Sequence, residues 1–344
     1  MAGMALPTFI ARRDFKLRAR IVGERKLVYD GPHPTDPPQR PKYVRAGSGV
    51  AWTGERMVVV QDDADYIAVI EGNGTSVAAL PLRGLSGARY GKSGAGHLNL
   101  EAVLSARDWR GEFVLAFGSG VGADKRGVAR VRLEAGNTEL SIFETRKLYQ
   151  ALEDLDGFAT SELNVEGVAL LPKWIEGRDA IRLFHRGNRA ARPGTKVERH
   201  VSATVDLRLD SLLAYLDRCK RDPNAFLGFD LHNARRYDLD EYEGASFTFS
   251  DAAGLPGDNP GRTAYIAIAE AHVEGGPSIC TGTALGVLET DGQARYTIIV
   301  ERDGSVSRRQ AEGMVLSSPT AGYLVVQDDA DAPATLATIE ITGL

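Results

Sequence analysis

The chain has 344 residues, 43% hydrophobic and 25% charged, with a formal net charge of −5. That length serves one large all-β domain or two ordinary domains, and an acidic balance gives no support for nucleic-acid binding. No apolar run nears the roughly 18 residues that a membrane-spanning helix needs. The N-terminus lacks an apolar signal core, so the cytoplasm is the expected location. Cys219 and Cys280 are the only cysteines, far apart and in no metal-ligand pattern.

Strand patterns dominate from the start. Residues 12–22 read as a strand, with 15–22 alternating apolar and basic side chains. A proline-rich loop follows, carrying Pro32, Pro34, Pro37, Pro38 and Pro41. A first repeat begins near Ser48 and holds four short strands, at 49–52, 56–61, 66–71 and 77–82. A second begins at Glu101, with strands at 101–106, 112–117, 127–133 and 139–144. A helix over 145–152 comes next, with Thr145 as its N-cap. The third repeat begins at Glu166, with strands at 166–171, 180–184 and 201–207, a helix over 211–218 capped by Asp210, and an outer strand at 226–231. The fourth begins at Glu243, with strands at 244–249, 263–269, 283–288 and 294–300. The fifth begins at Glu312, with strands at 312–316, 323–329 and 335–341, and then lacks a fourth strand.

One motif marks each repeat. Asn99-Leu100-Glu101-Ala102-Val103 aligns with Asn164-Val165-Glu166-Gly167-Val168, then with Tyr242-Glu243-Gly244-Ala245 and Ala311-Glu312-Gly313-Met314. Gly47-Ser48-Gly49-Val50 carries serine where the others carry glutamate. From Ser48 to Glu312 there are 264 residues in four intervals, 66 per unit. Val59-Val60-Gln61-Asp62-Asp63-Ala64-Asp65 recurs as Val325 to Asp331 at the same point of the fifth repeat. The spacing predicts an all-β fold, a five-bladed β-propeller spanning 1–344, its ring closed by the 12–22 strand joining the last blade.

In such a ring the motif residues converge on the central channel. Ser48, Glu101, Glu166, Glu243 and Glu312 are therefore the candidate metal ligands. Crowded carboxylates repel and raise one another's pKa values. Two resolutions are open: a hard cation such as Ca²⁺ neutralises the ring, or arginines and N–H groups pair with each carboxylate separately. A second layer lies at the ends of the second strands, where Asp62, His185 and Glu270 are the candidate catalytic residues, as general base or orienting group. Gln61, Asp63, Ser119, Arg186, Asn188, Asp251, Gln327 and Asp328 are the ligand-binding candidates; an Asx turn is the competing role for the paired aspartates. The glycine-rich 117–122 segment precedes another strand and no helix, so a dinucleotide fingerprint is rejected.

The series Ser48-Gly49, Asp62-Asp63, Leu98 to Glu101, Phe117 to Gly120, Asn164 to Gly167, Arg186-Gly187-Asn188, Thr248 to Ala253, Ala269-Glu270 and Glu312-Gly313 resembles an uncharacterised bacterial β-propeller family, a domain of unknown function. That resemblance implies the fold and no activity. A looser likeness is to calcium-activated apyrases, whose inward Ser and Glu side chains hold Ca²⁺, and a weaker one to phytase-like esterase propellers. The expectation is a Ca²⁺-binding hydrolase acting on a phosphate or carboxylic ester at the channel mouth. The alternative is a non-catalytic module for a small ligand or partner protein, with no nucleic acid and no membrane among its partners.

Overall fold

The computed structural model describes residues 6–31, 41–72, 76–82, 98–134, 137–188, 201–222, 224, 228–255, 257, 260–271, 278–327 and 331–344. The architecture is mostly β and is built from antiparallel sheets whose strands follow chain order. One sheet runs Gly47–Thr53, Arg56–Gln61, Tyr66–Ile70, Val77–Pro81. The next runs Leu100–Asp108, Gly111–Gly118, Gly127–Glu134, Asn137–Glu144. The third runs Val165–Ile175, Arg178–His185, Ser202–Arg208, Leu231–Asp238, with Thr8–Ile10 added in parallel at its outer edge. The fourth set is Ala245–Gly254, Thr263–Ala271, Ile279–Leu288, Ala294–Val300, and the last is Ala311–Ser318, Ala321–Val326, Thr335–Thr342. Its fourth strand is the N-terminal Arg18–Lys26, antiparallel to Thr335–Thr342 and also paired in parallel with Ala294–Val300, so these last two sets form one continuous sheet.

Two boundaries differ from the sequence reading. The outer strand of the third sheet is Leu231–Asp238 rather than 226–231. There Tyr237 is fully buried while Asn233 is exposed, so a polar stretch with few anchors forms the outer strand. The N-terminal strand lies at Arg18–Lys26, later than 12–22, because its ladder with Thr335–Thr342 runs from Arg18 to Lys26, while Arg12 and Arg13 pair separately with Ala294–Val300. The helices Arg146–Asp154 and Leu209–Cys219 cover the second and third sheets, burying Leu148, Tyr149, Leu152, Leu212, Tyr215 and Leu216. Asp210 lies within the first turn of its helix, paired with Arg208 and Arg178, and does not cap it. Among the described residues no helix is long and apolar enough to cross a membrane.

The first strands of successive sheets lie side by side. Gly47–Thr53 packs beside Leu100–Asp108, that strand beside Val165–Ile175, then Ala245–Gly254, then Ala311–Ser318, which packs back against Gly47–Thr53. Each of the five carries a register shift at the same point. The breaks fall between Gly47 and Gly49, Leu100 and Ala102, Val165 and Gly167, Phe249 and Asp251, and Ala311 and Gly313. A bulge leaves one residue without a ladder partner and re-aims its side chain. The residues so released are Ser48, Glu101, Glu166, Ser250 and Glu312.

The position after the bulge explains the glycine of the Glu-Gly motif. A Cβ on Gly313 would sit 3.0 Å from the Gly49 Cα and 3.2 Å from the Ser48 carbonyl oxygen. One on Gly167 would sit 3.0 Å from the Ala252 backbone nitrogen. The obstruction is backbone in both cases and cannot swing aside. Gly313→Ala should therefore lower stability by about 1–3 kcal/mol, measured as a reduced urea midpoint at unchanged m. A midpoint equal to that of the parent would contradict this close approach.

Candidate functional site

The bulges bring Ser48, Glu101, Glu166 and Glu312 to a cavity of about 180 Å³, which Asp62, Arg186, Gln310 and Gln327 also line. In two of the inner strands the residue two before the released glutamate holds its carboxylate. Asn99 Nδ2 donates to Glu101 Oε1 at 2.8 Å, and Asn164 Nδ2 donates to Glu166 Oε1 at 2.5 Å. This is the physical content of the Asn-x-Glu spacing. Asn99 is held in turn by the Ser119 hydroxyl, which donates to its Oδ1 at 2.6 Å. At the corresponding places Thr248 Oγ1 accepts from Arg186 Nε at 3.3 Å, and Gln310 Nε2 donates to Glu270 Oε1 at 3.1 Å.

Arg186 sits among the carboxylates. Its Nη2 donates to Glu270 Oε2 at 2.7 Å, and its Nη1 lies 3.4 Å from Glu166 Oε1 and 3.7 Å from Glu312 Oε2. Burial opposes the charge on the guanidinium, but Glu166, Glu312, Glu270 and Glu101 outweigh it and hold its pKa above the ordinary value. The residue that follows must be glycine. Gly187 has φ 75°, and a Cβ there would collide with the Val201 carbonyl oxygen.

Among the described residues one guanidinium faces several of these acids. Burial, then the neighbouring charges of Glu166, Asp62 and Glu312, push the Glu101 carboxyl well above the ordinary range, against a lowering contact with the Ser48 hydroxyl. Burial pushes Glu312 up to about 7; Arg186 and Ser250 oppose the shift, and Glu166 and Glu270 add to it. The Ser250 hydroxyl lies 2.6 Å from the Ala311 carbonyl oxygen and 2.8 Å from Glu312 Oε2. It has a single proton to donate. When the carbonyl takes it, a protonated Glu312 supplies the second bond, in accord with that raised value. Among the described residues no group of three or more His, Cys, Asp or Glu side chains has the arrangement to hold a metal ion.

The other sequence candidates divide sharply. Glu243 is not in the ring. Glu243 and Gly244, with φ of 50° and 79°, are the two central residues of a tight hairpin whose flanks Tyr242 and Ala245 pair. Two left-handed residues in succession make a type I′ turn. Glu243 is exposed there and pairs with Arg308 at 2.8 Å. Its ring position belongs to Ser250, which the sequence reading missed. The precedent of Ser48 replacing glutamate, with Thr248 in the asparagine position, was the available signal.

His185 is fully buried. Its Nδ1 accepts from the Asn164 N–H at 3.1 Å and its Nε2 lies 3.3 Å from Ser161 Oγ, so it braces the Asn164 turn. Gln61 donates to Tyr29 Oη and the Tyr66 carbonyl and accepts from the Arg45 N–H, and Asp63 pairs with Arg45 at 3.2 Å. These two fix a loop behind the cavity. Asn188 Oδ1 accepts from Asn164 Nδ2 at 3.3 Å. Asp251 takes the place that glycine has in three other inner strands. Its Oδ2 accepts from the Met314 N–H at 2.7 Å, tying two inner strands together, and burial raises its pKa well above the ordinary value. Asp62 and Gln327 line the cavity; Glu270 borders it through Arg186; Asp328 lies outside the described residues.

These shifts have a signature in stability. A carboxyl raised from 4.5 to about 7 is protonated in the folded chain and ionised in the unfolded chain between those values. The folded state then binds more protons, so stability falls as pH rises through that window. Glu101 and Asp251 act with the same sign. Glu312→Gln should flatten the decline between pH 4.5 and 7 in urea melts. An unaltered slope in the variant would contradict the raised value.

No curated protein gives a match. Among solved structures, the α-L-arabinofuranosidase of Fusarium graminearum in complex with an iminosugar inhibitor aligns at 8% identity over 93% of this chain and 98% of that chain, with a TM-score of 0.40. A streptogramin B lyase aligns at 6% identity over 93% and 98%, TM-score 0.38. The β-propeller domain of Vanderwaltozyma polyspora Nup133 aligns at 8% identity over 83% and 68%, TM-score 0.39. A family model matches residues 43–341, so the chain belongs to the family of unknown function DUF6929.

Proposed function

We propose that this chain is a five-bladed β-propeller, closed by its N-terminal strand, whose channel mouth binds a small ligand through a compact positive charge. The antiparallel pairing of Arg18–Lys26 with Thr335–Thr342 and the side-by-side inner strands support the closed ring. The observation that carries the binding reading is the charge imbalance around Arg186. Its nearest contacts are Glu166, Glu270 and Glu312, whereas Glu101 also lines the cavity and has no cation within ion-pair distance among the described residues. The raised values of Glu101 and Glu312 mean that protons take up that excess. A bound cation would displace them.

Ca²⁺ is the inorganic form of this demand, but among the described residues the carboxylates of the cavity are not arranged as a metal site, so no step is assigned to a metal ion. A small organic ammonium is the other form. The hydrolase reading draws its support from Glu312 and Glu101, two carboxyls in one cavity with raised pKa values, one of them near neutrality as a general acid–base group requires. His185, locked behind the turn, is a positioning residue in either reading. Cys219 and Cys280, buried and free, accord with a reducing cytoplasmic setting.

Titration calorimetry with Ca²⁺ and with a panel of primary and quaternary amines tests the reading, run in buffers of different ionisation enthalpy. The expected result is binding with proton release, affinity rising with pH up to about 7, and a loss of about tenfold or more in Glu101→Gln. No heat from any cation, or binding indifferent to both pH and that substitution, would contradict it. Hydrolysis of phosphate or carboxylic ester substrates that Glu312→Gln abolishes would move the assignment to the enzyme.

A further inference from the structure

The N-terminal segment forms a strap with chemistry that the channel mouth does not use. Thr8–Ile10 pairs with the outer strand of the third sheet, Arg12–Arg13 with the last strand of the fourth set, and Arg18–Lys26 forms the fourth strand of the last. Ala11, Leu17, Ala19 and Ile21 are buried and fasten it to the scaffold. Residues 8–26 contain seven Lys and Arg and two Asp and Glu, a net of +5, so the remaining residues carry −5 − 5 = −10.

The strap's acids are engaged and most of its exposed cations are not. Asp14 pairs with Arg295 at 2.9 Å and Glu24 with Arg309 at 2.5 Å. Arg12, Arg13, Lys16 and Arg18 are exposed and make no ion pair among the described residues. Beside them stand Ile10, 68% exposed, and Phe15, 77% exposed, two of the six large hydrophobic side chains exposed among the described residues. The Arg13 guanidinium lies 5.4 Å from the Phe15 ring centroid, which holds charge and ring together.

We propose that this strap docks the protein peripherally on an anionic lipid surface. A polyanion such as nucleic acid would reward the arginines but not Ile10. A boundary between charged headgroups and acyl chains rewards both: the cations meet the headgroups, and Phe15 and Ile10 enter the layer beneath. The −10 carried by the remainder opposes approach to an anionic surface in any orientation but strap first, so the same field that attracts also orients.

The experiment is co-sedimentation of the full chain with vesicles of phosphatidylcholine alone and of phosphatidylcholine with about one quarter phosphatidylserine, at low and physiological salt. Binding to the anionic vesicles only, weakened by salt, is expected. Phe15→Ser with Ile10→Ser should reduce it about tenfold or more, and Arg12→Gln with Arg13→Gln should reduce it further. These side chains are exposed, and unchanged thermal melts would certify folding. Absence of binding to anionic vesicles would overturn the proposal. So would capture by double-stranded DNA or polyglutamate as strong as by the vesicles, with no effect of the Phe15 and Ile10 substitutions, since that result assigns the strap to a polyanion or an acidic protein.

Discussion

The candidate site depends on a guanidinium held among glutamates. Arg186 reaches Glu166, Glu270 and Glu312, which come from three different strands, Val165–Ile175, Thr263–Ala271 and Ala311–Ser318, so one side chain couples them electrostatically. Such a cluster is stable only while its charges offset one another. Removing one partner of a buried ionic group leaves a charge without compensation and costs about 3–5 kcal/mol. The raised values of Glu101 and Glu312 express the same constraint from the acidic side: among the described residues no second arginine pairs with them, and protons complete the balance.

Backbone geometry makes this crowding feasible. Bulges at five equivalent points release Ser48, Glu101, Glu166, Ser250 and Glu312 from the ladders, and small residues just beyond them let the inner strands approach within contact of backbone atoms. Asp251 is the exception, and it repays the space it takes by accepting the Met314 N–H. Around the cavity, Ser119, Asn99, Asn164, His185 and Asn188 form a hydrogen-bonded collar that orients carboxylates without touching the cavity centre. A rigid collar of this kind suits recognition of one charged group in one place.

Much of this was legible in the sequence because the repeat is strict where the physics is strict. Asn-x-Glu-Gly reads directly as amide, carboxylate and close approach, and it located Glu101, Glu166 and Glu312. It failed at Glu243 because a type I′ turn and a bulged inner strand can both carry Glu-Gly. Only the positive φ values at Glu243 and Gly244 tell them apart, and a sequence does not display them. For His185 and Asp251 the sequence left something else unread. Residue type announces chemistry, but burial and hydrogen bonding decide whether that chemistry is available, and both side chains are fully buried. The role of Arg186 as internal counter-charge could not be read from its position, because Glu270 and Glu312 are 84 and 126 residues away in the chain.

The most direct measurement is the stability of Arg186→Gln as a function of pH, set against the parent chain. With Arg186 as the counter-charge of the ring, the substitution should cost about 3–5 kcal/mol near pH 8, and the deficit should shrink as pH falls toward 5 and the glutamates take up protons. A deficit that stays the same across that range, or no deficit at all, would contradict the account.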